Sequence, residues 1–362
     1  MTDVMKAFVL TGHGDFDKLE WHEDWPKPVP DAGEVLIKVG ACGLNNTDVN
    51  TRTAWYSKAV SENTTGGAFD DADDEDATWG GAAITFPRIQ GADVVGEVVG
   101  LGDGANPDLL GKRVMIDTWL RDWNDPQNRD KCGYYGSECD GGFAQYTKID
   151  QRHVHVVESD LTDAELATFA TSYITAENML ERANVAQGDS VLITGASGGV
   201  GSALIQLVQR RGAVAIALSS ASKIADVKAV GADHVIDRDC ANLKEELQQA
   251  IGKPTVSVLA DVVGGDRWPT WLDCIERGGR LTCAGAIAGP MVSFDLRTFY
   301  LRDLVFTGAT IVPVGLFAQL VSYIEKGEIK PLLAAHYPLE ELHDAQRAFI
   351  AKTHIGNIVV CP

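Results

Sequence analysis

Several features that would mark a secreted, membrane or nucleic-acid-binding chain are missing. Seven cysteines are scattered at 42, 132, 139, 240, 274, 283 and 361, with no CxxC pair. That argues against a zinc ribbon or a thioredoxin-type centre. No run of about 18 uncharged apolar residues occurs, so a transmembrane helix is not expected. The start, MTDVMKAFVLTGHGDF, has no basic leader followed by a long apolar stretch, and a cytoplasmic protein is expected. Positive charge is scarce: 31 Lys and Arg stand against 51 Asp and Glu, for a net charge of −20. Nucleic acid and anionic membranes are therefore poor partners. What remains is ordinary for a globular protein, with 45% apolar and 23% charged residues in 362. That length suits two domains.

The apolar pattern changes character along the chain. Short strands are read at Lys6–Leu10, Glu34–Val39, Val94–Val99 and Lys112–Ile116, separated by Gly- and Pro-rich turns, which suggests an irregular β-barrel. From about residue 160 strands alternate with helices: strands near 191–194, 214–218, 234–237, 256–262, 280–284 and 304–308, and helices near 201–211 and 223–230. This alternation predicts a parallel sheet covered on both faces. Two amphipathic helices (315–327 and 339–351) and a strand at 357–360 close the chain. Between Lys58 and Arg88 there is no basic residue, while Glu62, Asp70, Asp71, Asp73, Asp74, Glu75 and Asp76 are all acidic. The segment reads as a mobile, solvated loop, since it lacks the ligand spacing and glycine of an EF-hand. Cys132 and Cys139 could hold a metal with Glu138, but two plain loop cysteines are the simpler reading.

The strongest local signal is Val191-Leu192-Ile193-Thr194-Gly195-Ala196-Ser197-Gly198-Gly199-Val200-Gly201. An apolar strand runs through small residues into a helix, the geometry that receives a pyrophosphate on backbone N–H groups. Gly198 and Gly199 let the backbone approach phosphate, and Gly201 lets helix and strand pack closely. The next strand ends in Ser219, Ser220 and Lys223, where an NAD site would carry Asp or Glu. Hydroxyls and a lysine suit a 2′-phosphate, so NADP(H) is the expected cofactor.

On these residues, with Ala41-Cys42-Gly43-Leu44-Asn45-Asn46-Thr47-Asp48, Gly91-Ala92-Asp93-Val94-Val95-Gly96-Glu97-Val98 and Gly141-Gly142-Phe143-Ala144-Gln145-Tyr146, the chain resembles the medium-chain dehydrogenase/reductase superfamily. The short-chain dehydrogenases share a similar turn, but no Tyr here has Lys four positions on. The resemblance implies a GroES-like β-barrel catalytic domain over 1–155, completed by 313–362, and a doubly wound Rossmann domain over 156–312. It also implies that the zinc-ligand positions of the family's alcohol dehydrogenases fall at Asn45, Ala92-Asp93 and Thr171. None holds a zinc ligand of that family, so no metal is expected. Gly43-Leu44-Asn45, then Asp48, Arg52 and Tyr56, resembles the zinc-free quinone oxidoreductase branch, although Asn50 stands where that branch often has tyrosine. By the same resemblance Thr175, Val262, Ala284, Ile287 and Ile311 would face the cofactor, and a homodimer or homotetramer paired along the 304–308 strand is expected.

Without a metal to stabilise an alkoxide, hydride delivery to a quinone or an α,β-unsaturated carbonyl is the easier chemistry. Asn45 would hydrogen-bond the substrate oxygen or the cofactor ribose. Tyr56 would donate a proton or a hydrogen bond, and Trp55 would form an apolar wall. Asp48 and Arg52 would brace the segment as a charge-assisted pair. Three alternatives stay open: a zinc enzyme with ligands such as Cys42, Asp93 or Cys132, a 2-enoyl-thioester reductase, and a non-catalytic NADPH-binding redox sensor.

Overall fold

The computed structural model describes residues 3–69, 72–80 and 83–362. Asp70, Asp71 and Gly81 of the acidic segment lie outside the described residues. Chain contacts divide the molecule into two compact units: residues 1–60, 65–171 and 313–362, and residues 61–64 with 172–312.

The first unit is built on a seven-stranded sheet. Its central strand, Glu34–Gly43, pairs antiparallel with Asp93–Leu101, Tyr146–Asp150 and the C-terminal strand Asn357–Cys361. Pairing with Asn357–Cys361 places the last residues of the chain beside the first sheet strand. Alternate side chains of these strands (Val35, Ile37, Val39, Val94, Val98, Ile358, Val360) share one buried cluster with Phe8, Leu10 and Phe143. The strand Leu19–Pro26 and the helix Asn46–Arg52 are additions that the apolar pattern did not single out. The helix has weak formers but a strong start: Asn45 N–H donates to Asp48 Oδ2 at 2.7 Å, the reciprocal cap of the helix N-terminus.

The second unit carries a six-stranded, wholly parallel sheet, in the order His234–Asp237, Val214–Ser219, Ser190–Ile193, Val256–Asp261, Ile275–Cys283 and Val305–Gly308. From Ser190–Ile193 the chain winds outward in one direction and then returns to fill the other side. The switch point therefore lies between Ser190–Ile193 and Val256–Asp261, where ligands of such sheets bind. The two-domain α/β class read from the sequence is the observed one.

One expectation is corrected here. Arg52 does not pair with Asp48, whose carboxylate is turned back to cap Asn45. The Arg52 guanidinium is fully buried and donates to Gly14 O and Gly66 O at 3.0 Å and to Gln346 Oε1 at 3.2 Å. It also lies 4.3 Å from the Phe16 ring centroid and 3.7 Å from Asp15. Asp48 is too occupied, and too close to the helix start, to reach it.

Because those acceptors would lose their donor, Arg52→Met is expected to destabilise the protein by about 3 kcal/mol. Urea unfolding, with limited proteolysis near residue 66, measures it; an unchanged midpoint would refute this role of Arg52.

Candidate active site and dinucleotide site

In the first unit the residues at the family's ligand positions come together, but with different chemistry. Asp93 begins its strand directly opposite Gly43 and is 2% exposed. Thr171 N–H donates to Asp93 Oδ1 at 3.0 Å, and the Thr171 hydroxyl donates to the same oxygen. Tyr134 OH lies 2.7 Å from Thr171 Oγ1. The Asn45 side chain is close enough to Asp93 to favour its ionised form, although Nδ2 is buried without a partner in hydrogen-bonding geometry.

Burial dominates the electrostatics. The Asp48 carboxyl is pushed up to about 7 by desolvation, against the Asn45 N–H bond that lowers it, with Asp93 adding repulsion. Desolvation pushes Asp93 up to about 6, opposed by the Thr171 and Asn45 contacts. Burial also raises the Tyr56 phenol, whose hydroxyl contacts Thr47 and Asn50. Trp55 and Tyr56 meet edge to face at 5.6 Å.

Three aromatic side chains complete this region and were not anticipated. Tyr134 packs edge-on against Trp119 at 5.4 Å, and Trp119 against Trp79 at 5.0 Å. Glu138 Oε2 accepts from Tyr134 N at 2.6 Å and from Trp79 Nε1 at 3.2 Å. Glu138 is thus spent on hydrogen bonds, and burial drives the Cys139 thiol up to about 12. Part of the acidic segment is also anchored: Asp76 Oδ2 accepts from Lys58 N, and Asp73 N donates to Ser57 Oγ, each at 2.9 Å.

A catalytic zinc takes three Cys, His or carboxylate ligands and keeps one open position. Asn45, Asp93 and Thr171 offer one carboxylate, an amide and a hydroxyl, and the carboxylate oxygen already accepts twice from Thr171. Among the described residues no three His, Cys, Asp or Glu side chains gather as a metal site. This donor set does not fit the zinc that the family implies.

In the second unit the glycine turn follows strand Ser190–Ile193 and opens the helix Gly199–Arg210, with Gly198 as its cap. Gly195 has φ +60°, and a Cβ on Gly201 would meet Gly195 O at 2.2 Å. Both positions therefore require glycine. The first-turn N–H groups of the helix have no intrahelical acceptor and form an anion seat. Asp261 Oδ1 accepts the Thr194 hydroxyl at 2.6 Å and Val263 N at 2.9 Å, while Thr194 Oγ1 accepts Val262 N at 3.1 Å.

All strands of this sheet run the same way. The turn Gly195–Gly201 with Ala196, Ser197 and Val200, the Ser219–Lys223 segment, Val262, Ala284, Ile287 and Ile311 therefore follow the C-terminal ends of their strands, on one edge. Thr175 lies on the helix Ala170–Arg182, whose Asn178 and Arg182 side chains donate to Ile311 O at 3.4 and 2.9 Å. The Ser219 hydroxyl is buried without a hydrogen-bond partner. Partial burial and the neighbouring Arg238 guanidinium both lower the Lys223 pKa. Arg238, whose N–H donates to Ser219 O at 2.8 Å, follows the adjacent strand and was missed in the sequence. Its position one strand over was the available signal.

Residues 31–159 match the alcohol dehydrogenase GroES-like domain family, and residues 199–326 the zinc-binding dehydrogenase family. A solved structure from Sinorhizobium meliloti 1021, provisionally named an alcohol dehydrogenase, is 44% identical over 100% of this chain and 98% of that one, with a TM-score of 0.90. The chain belongs to the medium-chain dehydrogenase/reductase superfamily. It is an NAD(P)-dependent oxidoreductase of that superfamily. Among curated members, it is 25% identical to an acryloyl-coenzyme A reductase of Metallosphaera sedula, over 98% of this chain and 99% of that one. It is equally 25% identical to a quinone oxidoreductase of Rattus norvegicus, over 96% of this chain and 94% of that one. No helix among the described residues is long and apolar enough to cross a bilayer.

The buried Asp93 carboxyl has a stability signature. Asp93 is raised from 3.8 to about 6 in the folded state, so between those values the native protein binds more protons than the unfolded chain. Its contribution to stability therefore falls as pH rises through that window. Asp93→Asn should lose this dependence, so its melting temperature relative to wild type should climb between about pH 4 and 7 and then level off. Paired thermal melts across pH read this out, and a constant difference would contradict it.

Proposed function

We propose that the chain transfers hydride from NADPH to an electron-poor acceptor, a quinone or an α,β-unsaturated carbonyl, without a catalytic metal. The donor set at Asn45, Asp93 and Thr171 carries this reading. An unactivated alcohol needs a Lewis acid to become an alkoxide. A quinone or enone needs only an oriented hydride and donors for the oxygen that gains charge. Bound NADPH supplies the hydride. The buried Asn45 amide holds the substrate oxygen, and the Tyr56 hydroxyl, kept in place by Thr47 and Asn50, is a second donor.

For the cofactor, residues 195–201 take the pyrophosphate on their backbone, and Thr175, Val262, Ala284, Ile287 and Ile311 border the nicotinamide. The unpartnered Ser219 hydroxyl, with Ser220, Lys223 and Arg238, takes the 2′-phosphate. That buried hydroxyl and the two cations favour NADPH over NADH. An enoyl thioester as substrate is the second reading, favoured by the likeness to an acryloyl-coenzyme A reductase.

Turnover of NADPH and NADH against quinones, enones, enoyl thioesters and alcohols tests both readings. Quinone or enone reduction with NADPH is expected, with Lys223→Ala raising KM for NADPH about tenfold and leaving that for NADH unchanged. Faster reduction of the thioester would select the second reading. One tightly bound zinc per chain together with alcohol oxidation would overturn both.

We also propose that two copies pair along the Val305–Gly308 edge. This strand ends the parallel sheet, and Leu301 and Val305 are more than half exposed. Light scattering should show a dimer or tetramer that Val305→Lys reduces to a smaller species. A monomeric wild type would refute the pairing.

A further inference from the structure

Hydride transfer to an enone or quinone leaves negative charge on the substrate oxygen, and a proton must follow. Tyr56 is a poorer terminus for that proton: the side chains its hydroxyl bonds among the described residues are Thr47 and Asn50, neither of which stores one, and Asp48 acts on it through charge alone. Tyr134 differs. Its hydroxyl is 2.7 Å from Thr171 Oγ1, and the Thr171 hydroxyl is hydrogen-bonded to Asp93 Oδ1. One hydroxyl, that of Thr171, thus joins a buried carboxyl to a phenol whose ring is fixed by Trp119 and whose backbone is fixed by Glu138.

We propose that Tyr134, Thr171 and Asp93 form a proton line ending at the substrate oxygen, with Tyr134 as the group that hands the proton over. This rests on the reduction proposed above. The line has two polarities. With Asp93 ionised, Tyr134 donates to Thr171 and Thr171 donates to Asp93. With Asp93 protonated, Asp93 donates to Thr171, Thr171 donates to Tyr134, and the phenolic O–H is released to point away from Thr171. In the step itself the Tyr134 O–H bond breaks as the substrate O–H bond forms. The Thr171 proton moves to Tyr134 oxygen, the Asp93 proton moves to Thr171 oxygen, and Asp93 is left as the carboxylate. Solvent water returns one proton to Asp93, so each turnover consumes one hydride and one proton.

Asp93 is suited to be the reservoir because it protonates within reach of neutral pH. The groups that face it are Cys42 from its own sheet, Asp48 and Asn45 at the start of the short helix, and Thr171 and Tyr134 along the line. Thr171 and Asp93 are positioning residues, and only Tyr134 would touch the substrate.

The test is steady-state reduction of an enone by NADPH in wild type and in Tyr134→Phe, Thr171→Val and Thr171→Ser. General acid catalysis is worth about a hundredfold or more. Tyr134→Phe and Thr171→Val should lower kcat at least tenfold with KM for NADPH within twofold of wild type, and Thr171→Ser should restore most of the loss. Wild-type kcat should also fall as pH rises through the Asp93 ionisation, and Thr171→Val should flatten that limb. Turnover by wild type that survives both Tyr134→Phe and Thr171→Val overturns the line alone. No turnover of any quinone or enone by wild type overturns the reduction, and the line with it.

Discussion

A carboxylate with almost no water around it governs the first unit. Asp93 is 2% exposed, and burying an ion without donors is costly enough that its surroundings must supply them. They do so from distant parts of the sequence: Thr171 through both N–H and hydroxyl, Asn45 from the side, and Tyr134 through Thr171. The backbone is drawn in as well, since a Cβ on Gly43 would meet Ala167 O at 2.4 Å and Asp93 Cβ at 3.1 Å. Glycine at that position is what allows sheet and following segment to close around the acid.

The same carboxylate sits in a donor set that does not suit the family's zinc. A zinc ligand must present free lone pairs in a tetrahedral cage. Here Oδ1 of Asp93 is occupied by the Thr171 hydroxyl and N–H, and Asn45 and Thr171 at the other two positions are neutral. The region is arranged to donate hydrogen bonds and to hold protons near neutral pH, with Asp48 as a second buried acid beside Asp93. Neutral donors match an acceptor that gains charge during reaction better than one that must first lose a proton.

The fold was readable because its signals are local. Apolar runs of strand length alternating with helical stretches gave the parallel sheet, and the strand–glycine–helix junction at 191–201 required only adjacent residues. The family's ligand positions were read by resemblance at Asn45, Ala92-Asp93 and Thr171, and the structure brings Asn45, Asp93 and Thr171 together. What escaped was long-range. Tyr134, Trp119 and Trp79 have no shared period and meet only in three dimensions. Asp48 and Arg52 sit at the spacing of a helical ion pair, yet the helix is only Asn46–Arg52. Its first turn claims the acid as a cap, and its last turn directs the arginine to carbonyls at Gly14 and Gly66. Arg238 follows the next strand in the chain, and it is the parallel pairing of that strand with Val214–Ser219 that brings it beside Ser219.

Asp261 gives the cofactor edge a property that its glycines alone would not. One buried carboxylate collects the Thr194 hydroxyl and the N–H groups of Val263 and Gly264. It thereby clamps the ends of the two strands on either side of the switch point. The glycine turn and the loop after Asp261 are joined like two jaws on one pin, and neither can swing without the other. A dinucleotide arriving there meets a mould already set, and little of its binding energy is spent on shaping the protein.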